Sequence, residues 1–286
     1  MRFSLKDVID EDFAEELSQA STAGIDIGSR GAKGVLLHNG NIYTVIQASD
    51  VSSNDTAHKL LEILINEAGV KQEDVDFIVG TGYGRVALHF GKIPFKGVTE
   101  ITCHGIGAHY MNRNTRTIID IGGQDSKAIQ IDPDNGNVVE FMMNDKCAAG
   151  TGRFLEKVAQ LLGLNLDELG ECALKSESPA EISSQCVVFA ESEVISLKAK
   201  GVSKEDIAAG IHLATARRVK GLLRRVGFED EMVFTGGVSH NQGMVKALET
   251  EIGNKIAKTR LDSTYAGAFG AAITAFHENA HLQYVI

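Results

Sequence analysis

The order of apolar and polar residues predicts a chain that opens with three strands rather than with a strand and a helix. Three short, mainly apolar runs, 23–27, 34–38 and 42–48, are typical of strands. A glycine-containing turn at 28–33 separates the first two, and the segment 38–41 (HNGN) predicts a hairpin between the second and third. A dinucleotide-binding or P-loop unit would place a helix directly after its first glycine-rich turn, so this opening argues against both.

A unit made of strand, aspartate, glycine turn and strand occurs twice in the chain. Asp26 lies near the end of the first strand, before Gly28, and Asp120 lies near the end of a predicted strand at 117–121, before Gly122. The two aspartates are 94 residues apart (120 − 26). This repeated opening is that of the actin-like ATPase fold. We therefore predict an α/β, ribonuclease H-like chain with two similar lobes and a nucleotide between them.

The composition changes smoothly along the chain and shows no linker, so we expect the two lobes to be interleaved in sequence. We assign 1–21 to an acidic N-terminal arm, 22–140 to a first lobe with both phosphate turns, 141–258 to a second lobe with cysteines and the adenosine site, and 259–286 to a return into the first. Apolar positions between residues 3 and 17 predict one amphipathic helix in the arm, which either packs on its own domain or docks onto a partner. Further helical patterns lie at 55–68, 154–162, 187–199, 203–226, 244–252 and from 267 onward.

Composition narrows the class of protein. The 286 residues carry 38 acidic and 28 basic side chains, a net charge of −10, which argues against a general nucleic-acid binder. Uncharged runs such as 266–276 are too short to span a bilayer, and the N-terminal segment does not resemble a secretory signal, so we expect a cytoplasmic protein. The chain has 30 glycines and 3 prolines, a balance that favours close approach of the backbone to a ligand.

The two glycine turns predict a phosphate-binding site. Glycine lets backbone N–H groups approach phosphate oxygens, and a neighbouring carboxylate can hold Mg²⁺ through water or orient the attacking water. We therefore expect catalytic roles for Asp26, Asp120 and Gln124. The predicted nucleotide contacts are Gly28, Ser29, Lys33, Gly122, Gly123, Gln124, Asp125, Lys146, Gly150, Thr151, Gly236, Gly237, Asn241 and Gly270.

The adenosine end of the nucleotide would meet a third glycine pair, Gly236 and Gly237, which follows a predicted strand. Asn241 and Gln242 open the next helix. They either face the nucleotide as well or cap that helix.

Four cysteines without a C-x-x-C pair leave the metal chemistry open. Cys147 and Cys186, 39 residues apart, each precede a predicted helix, whose N-terminal partial charge and N–H groups stabilise a thiolate or an anionic cluster. Two thiolates cannot complete a four-thiolate cluster, but a symmetric dimer would supply four. These two cysteines therefore either hold one [4Fe–4S] cluster across a two-fold interface or are buried thiols. For Cys103 and Cys172 we expect buried thiols.

Four segments closely resemble the ATP-dependent activators of 2-hydroxyacyl-CoA dehydratases and the related ATPase subunits of benzoyl-CoA reductase. The segments are TGYGR at 81–85, DIGGQDSK at 120–127, NDKCAAGTGRF at 144–154 and SSQCVVFAESEVIS at 183–196. The likeness extends over residues 23–276, nearly everything except the N-terminal arm.

That resemblance implies the actin-like ATPase fold and the binding of Mg²⁺ and ATP by each subunit. It also implies that a dimer shares one [4Fe–4S] cluster, with Cys147 and Cys186 matching the two ligands that each subunit contributes in this family. An electron received from ferredoxin or flavodoxin would pass, with ATP hydrolysis, to a partner that reduces a CoA thioester. The acid–base chemistry on the CoA ester would belong to that partner.

Two branches of the family share these motifs. NDKCAAGTG and GGQDSK look like the dehydratase activators, whereas AGIDIG at 23–28 and YAGAFG at 265–270 look more like the small ATPase subunit of benzoyl-CoA reductase. In the first phosphate turn, Arg30 and Ala32 stand where the activators have small hydroxyl residues. We expect the reductase subunit, in a dimer with a longer homologous subunit; the alternative is a homodimeric dehydratase activator.

Two interpretations outside electron transfer stay open from the sequence. An actin-fold small-molecule kinase would bind its substrate beside the nucleotide, and a non-catalytic assembly protein would bind the nucleotide alone. Neither would need Cys147 or Cys186.

Overall fold

A computed structural model describes residues 1–144, 146–183 and 187–285, with the backbone alone for 283–285. The strands are β1 (Arg2–Ser4), β2 (Ser21–Ile27), β3 (Gly31–His38), β4 (Asn41–Ala48), β5 (Phe77–Gly82), β6 (Phe95–Gly97), β7 (Thr117–Ile121), β8 (Ser126–Ile131), β9 (Val138–Asn144), β10 (Met232–Thr235) and β11 (Ile256–Ala257). The helices are α1 (Leu5–Val8), α2 (Glu11–Glu16), α3 (Ser53–Ala68), α4 (Glu100–Met111), α5 (Gly152–Leu162), α6 (Leu166–Ala173), α7 (Val187–Ala199), α8 (Lys204–Val226), α9 (Gln242–Ile252) and α10 (Ala266–Val285).

The chain divides into two compact units. The first unit contains Met1–Arg116, Ile131–Val139 and Lys258–Ile286, and the second contains Thr117–Gln130 and Glu140–Ala257. The sequence pattern predicted both phosphate turns in one lobe ending at residue 140. In the structure the second turn belongs to the second unit, because β7 and β8 pair with each other and β7 also pairs with β10.

A six-stranded sheet in the order β1-β4-β3-β2-β5-β6 carries the first unit. β2, β3 and β4 form the antiparallel meander that the apolar pattern predicts, and β5 pairs parallel with β2. Asn39 and Gly40 both have positive φ, 46° and 72°, which the tight hairpin between β3 and β4 requires. α10 packs across β2 at Gly24, where any side chain would collide with the backbone of Ala268.

A five-stranded sheet in the order β11-β10-β7-β8-β9 carries the second unit. β7 and β8 form an antiparallel hairpin, and β10 pairs parallel with β7. The same relation joins β2, β3 and β5 in the first unit, so the internal repeat is present in the pairing of the strands. Helices α5, α6, α8 and α9 bury their apolar sides in the core of this unit, with Ile119, Leu155 and Ile211 fully buried.

The N-terminal arm is not the single helix that its apolar positions predict. β1 pairs antiparallel with β4, and the short helices α1 and α2 follow. Leu5, Ile9 and Leu17 are buried in the core of the first unit. The prediction fails because the edge of β4 offers backbone hydrogen bonds to residues 2–4, and helical periodicity does not register this partner. The arm is therefore an integral layer of its own unit.

Two of the cysteines are buried, as expected. Cys103 is fully enclosed by the first unit, and burial raises the pKa of its thiol to about 12. Cys172 lies in the core of the second unit, where burial also raises its pKa.

A helix that crosses a bilayer needs a long and continuous apolar run. In the part of the chain that the structure describes, none of the helices combines the length and the apolarity that crossing a bilayer requires.

Candidate functional site

The first predicted phosphate turn lies between β2 and β3. Pairing of these strands sets Asp26 opposite Lys33, and the Lys33 Nζ lies 3.8 Å from the Asp26 Oδ2. Asp26 is almost fully buried, whereas Ser29 at the tip of the turn is exposed. The turn therefore has an exposed tip beside a buried carboxylate that faces a lysine.

Gly82 closes this arrangement from the end of β5. Its φ is +80°, and a side chain there would place its Cβ 2.7 Å from the Asp26 Oδ1 and against the carbonyl of Ile27. A residue with a Cβ would be both strained and in collision. Glycine at this position lets β5 end directly beside the carboxylate.

The second predicted turn, between β7 and β8, has a buried ion cluster beneath it. The Lys127 Nζ lies 3.0 Å from the Asp120 Oδ2 and 2.8 Å from the Asp125 Oδ1. The three residues are only 2–3% exposed. Thr235, at the end of β10, donates a hydrogen bond of 3.1 Å to the Asp120 Oδ1. Both oxygens of Asp120 are thus engaged by the protein's own groups.

Gly236 occupies the same position relative to Asp120 as Gly82 occupies relative to Asp26. Its φ is +85°, and a Cβ would lie 2.6 Å from the Asp120 Oδ1 and 2.5 Å from the carbonyl oxygen of Ile121. Each unit therefore repeats one arrangement: an aspartate at a strand end, a lysine across the hairpin, and a left-handed glycine at the end of the neighbouring parallel strand.

Sequence reasoning missed part of this arrangement. Lys127, Thr235 and Gly82 were not among the predicted site residues. A signal for the lysines exists, because Asp26 and Lys33 have the same seven-residue separation as Asp120 and Lys127. No local signal points to Thr235, whose contact with Asp120 spans 115 residues of chain.

The segment that carries Cys147 is hydrogen-bonded to the second turn. The backbone N–H of Gly152 donates to the carbonyl of Gly122 at 2.8 Å, and that of Arg153 donates to the carbonyl of Gly123 at 3.0 Å. The first residues of α5 therefore rest on the predicted phosphate turn. Two main-chain hydrogen bonds thus join that turn to the start of α5.

Hydrogen bonds from the Asn144 side chain hold the loop of Cys147 in place. The side-chain amide of Asn144 donates to the carbonyls of Cys147 at 2.9 Å and Ala149 at 3.0 Å. Gly150 has a φ of +92°, which permits the bend before α5. Cys147 itself is half-buried, and the Nη1 of Arg218 lies 3.7 Å from its sulfur.

The setting of Cys147 suits a thiolate ligand of iron. The Cys147 thiol is partly accessible, the residue precedes α5, and the group within hydrogen-bonding distance of its sulfur is a cation rather than a carboxylate. Soft thiolates are the ligands that iron–sulfur clusters take. Cys186, the other predicted ligand, lies outside the described residues. Across 1–144, 146–183 and 187–285, no group of three or more His, Cys, Asp or Glu side chains could hold a metal ion.

The remaining predicted contacts fall into different settings. Asn241 caps α9: its Oδ1 accepts from the backbone N–H of Met244 at 2.9 Å and lies 3.1 Å from the Nε2 of His212. Gly270 packs against the backbone of Cys103, which gives it a packing role in α10. Gly237 and Lys146 are exposed, Gln124 is half-buried, and Thr151 is buried with its hydroxyl donating to the carbonyl of Ala148. Nucleotide contact stays a prediction for each of these residues.

Comparisons with known proteins place this geometry in context. Residues 23–275 match the profile of the BadF/BadG/BcrA/BcrD ATPase family. The chain is 43% identical to the 2-hydroxyisocaproyl-CoA dehydratase activator of Clostridioides difficile, over 90% of this chain and 95% of that protein. It is 45% identical to the (R)-2-hydroxyglutaryl-CoA dehydratase activating ATPase of Acidaminococcus fermentans, over 91% and 98%. Its identity to one of the benzoyl-CoA reductase subunits of Thauera aromatica is 37%, over 88% and 92%.

Solved structures agree with the sequence matches. Component A of the Acidaminococcus fermentans (R)-2-hydroxyglutaryl-CoA dehydratase superposes with a TM-score of 0.86 at 42% identity, covering 92% of this chain and 100% of that one. The activator of the 2-hydroxyisocaproyl-CoA dehydratase from Clostridium difficile, with bound ADPNP, superposes with a TM-score of 0.84 at 41% identity, covering 93% and 97%. These matches confirm the predicted actin-like ATPase fold.

Proposed function

The chain belongs to the BadF/BadG/BcrA/BcrD ATPase family, and from that premise we propose that it is the activating ATPase of a 2-hydroxyacyl-CoA dehydratase. Its identity is 43–45% to two activators of such dehydratases and 37% to a benzoyl-CoA reductase subunit. The motifs alone led us to expect the reductase subunit, and these identities favour the alternative. A homodimer is then the expected assembly.

One observation carries this function. The hydrogen bonds from Gly152 and Arg153 to the Gly122–Gly123 turn make the start of α5 and the turn one structure. A phosphate bound at the turn can therefore change the position of the Cys147 loop. An ATP-driven electron donor requires that its nucleotide state be coupled to a cysteine loop. A kinase has no need of such coupling.

The chain's own groups would act on the nucleotide in a simple way. Backbone N–H groups of the glycine turns hold phosphate oxygens, and Gln124 orients the attacking water. Asp120 is already bound by Lys127 and Thr235, so it would reach Mg²⁺ through a water molecule rather than directly. Asp26, whose lysine partner is more distant, is the more available carboxylate.

Cys147 and Cys186 of each subunit would hold one shared [4Fe–4S] cluster, which supplies one-electron transfer at low potential. The positive N-terminal end of α5 lies next in sequence to the Cys147 loop and favours negative charge there. The expected partners are a ferredoxin or flavodoxin as donor and the dehydratase component as acceptor.

The test is anaerobic purification followed by iron analysis and reconstitution with a dehydratase component. The wild-type chain should be brown, with about four irons per dimer, and should hydrolyse ATP. Cys147→Ser should abolish the colour and the activation of the dehydratase while nucleotide binding is retained. Cys172→Ala is the matched control, since that thiol is buried in the core of the same unit, and it should keep the colour.

Two results would contradict the proposal. A colourless wild-type protein that phosphorylates a small molecule would favour the kinase. Activation of benzoyl-CoA reduction, but of no 2-hydroxyacyl-CoA dehydratase, would restore the reductase assignment.

A further inference from the structure

A guanidinium lies against the sulfur of Cys147. Arg218 projects from α8, is half-buried, and its Nη1 lies 3.7 Å from the Cys147 Sγ, within hydrogen-bonding distance of sulfur. The two residues are 71 positions apart in the chain. Their contact is therefore a product of the tertiary fold of the second unit.

The surroundings fix both partners of this contact. Two hydrogen bonds from Asn144 hold the cysteine loop. On the helix, Ala216 and Val219 are fully buried on either side of Arg218 and anchor it in the core. The Arg218 stem passes beside Gly150, where a Cβ would lie 3.4 Å from the Arg218 Cδ. Glycine at 150 thus leaves the space that the arginine stem occupies.

The two cavities beside Arg218 are lined mainly by arginines among their charged side chains. A cavity of about 480 Å³ is lined by Arg217, Arg218 and Arg225, with Glu181 as its carboxylate among the described residues. A second cavity of about 290 Å³ is lined by Arg218 and Arg225 as well. Arg217 is paired with Glu251 at 2.9 Å, and Arg218 contacts the sulfur of Cys147 at 3.7 Å.

We propose that Arg218 is a positioning residue that sets the reduction potential of the cluster through its N–H···S hydrogen bond to Cys147. Reduction adds one negative charge to the cluster and its thiolates. A hydrogen bond to a ligating sulfur and a nearby positive charge stabilise that more negative state. Arg218 therefore holds the potential higher than it would otherwise be. This inference rests on the proposed cluster at Cys147.

The experiment compares Arg218→Gln and Arg218→Lys with wild type in the holoprotein. Arg224→Gln is the matched control: it removes the same charge from the same helix, at an exposed position outside both cavities. Iron content, EPR of the reduced cluster and the midpoint potential are measured anaerobically. In Arg218→Gln the ratio of reduced to oxidised cluster at a fixed potential should fall about tenfold, which is 59 mV for one electron. The ratio in Arg218→Lys should lie between those of wild type and Arg218→Gln, and the ratio in Arg224→Gln should match wild type.

The outcomes separate this inference from the proposed function. Absence of iron from the wild type would remove the cluster and the function together. Full iron with wild-type potential and EPR in both Arg218 variants would overturn the role of Arg218 alone. If Arg218→Gln lost its iron, Arg218→Lys would decide: a shifted potential or EPR signal supports the role, and a wild-type signal overturns it. Loss of iron from both variants, with nucleotide binding intact, would overturn the potential-setting role and make Arg218 an assembly requirement instead.

Discussion

At the scale of single residues, the second unit depends on a buried group of two carboxylates and one ammonium. Lys127 contacts both Asp120 and Asp125, and all three side chains are nearly inaccessible to water. A buried ion pair is weak evidence for stability as such, but removal of one partner leaves an uncompensated charge. Here removal of the lysine would take the same positive charge away from two carboxylates.

We therefore expect Lys127→Met to destabilise the apoprotein by about 3–5 kcal/mol or more. The control is Lys33→Met, because Lys33 occupies the equivalent register position but lies 3.8 Å from its carboxylate and is more exposed. Its effect should be clearly smaller. Urea denaturation followed by circular dichroism gives both values. Equal losses in the two variants would show that burial of the lysine does not control the cost.

At the scale of elements, α2 of the N-terminal arm contacts two longer helices of the first unit. Glu16, in the last turn of α2, accepts a hydrogen bond from the Tyr110 hydroxyl at 2.9 Å and lies 2.9 Å from the Nε2 of His277. The contact with His277, followed by that with Tyr110, lowers the pKa of Glu16 from its ordinary value of 4.5. The arm is thus joined to both α4 and α10 through one carboxylate.

The pH dependence follows from the direction of that shift. A carboxylate whose pKa is lower in the folded state stabilises the fold above its unfolded pKa, and the gain disappears as the pH falls through the folded value. The difference in urea midpoint between wild type and Glu16→Gln should therefore be present above about pH 5 and shrink as the pH falls to about 3. Because Glu16 is 40% exposed, solvent keeps the effect modest.

Glu15→Gln serves as the control for this series, since Glu15 is an exposed neighbour in the same helix. Its urea midpoint should track that of wild type at every pH. A Glu16→Gln difference that stayed constant with pH would exclude the charge of Glu16 as the cause.

At the scale of the whole molecule, the proposed cluster makes two chains interdependent. In the proposed dimer each chain would contribute two cysteines, so the cluster would also link the subunits through metal–thiolate bonds. Removal of iron should then weaken the dimer as well as remove the colour.

We expect anaerobic treatment with a chelator to raise the dimer dissociation constant at least tenfold, about 1.4 kcal/mol. Sedimentation of the protein before and after chelation measures the change. Cys147→Ser should sediment like the chelated wild type, and Cys172→Ala like the untreated one. An unchanged dissociation constant after iron removal would mean that protein contacts alone hold the subunits together.

Features that depend on near neighbours could be predicted from the order of the amino acids alone. The strand meander, the hairpin at Asn39–Gly40 and the repeated aspartate turns could be predicted, because side-chain alternation and left-handed turns are local properties. The family was also identified from local motifs such as 144–154, and the profile match over 23–275 agrees. The branch was not, since some motifs resemble the dehydratase activators and others the reductase subunit, and the overall identities favour the activators.

Contacts between distant residues depend on the three-dimensional fold. Gly82 reaches Asp26, Thr235 reaches Asp120, and Arg218 reaches Cys147, through strand pairing and helix packing that bring together residues far apart in the chain. The same reason explains the arm, where residues 2–4 join a sheet through the edge of β4 instead of a helix. Local periodicity reports how a segment can fold, whereas the available partner decides which of those conformations is buried and hydrogen-bonded.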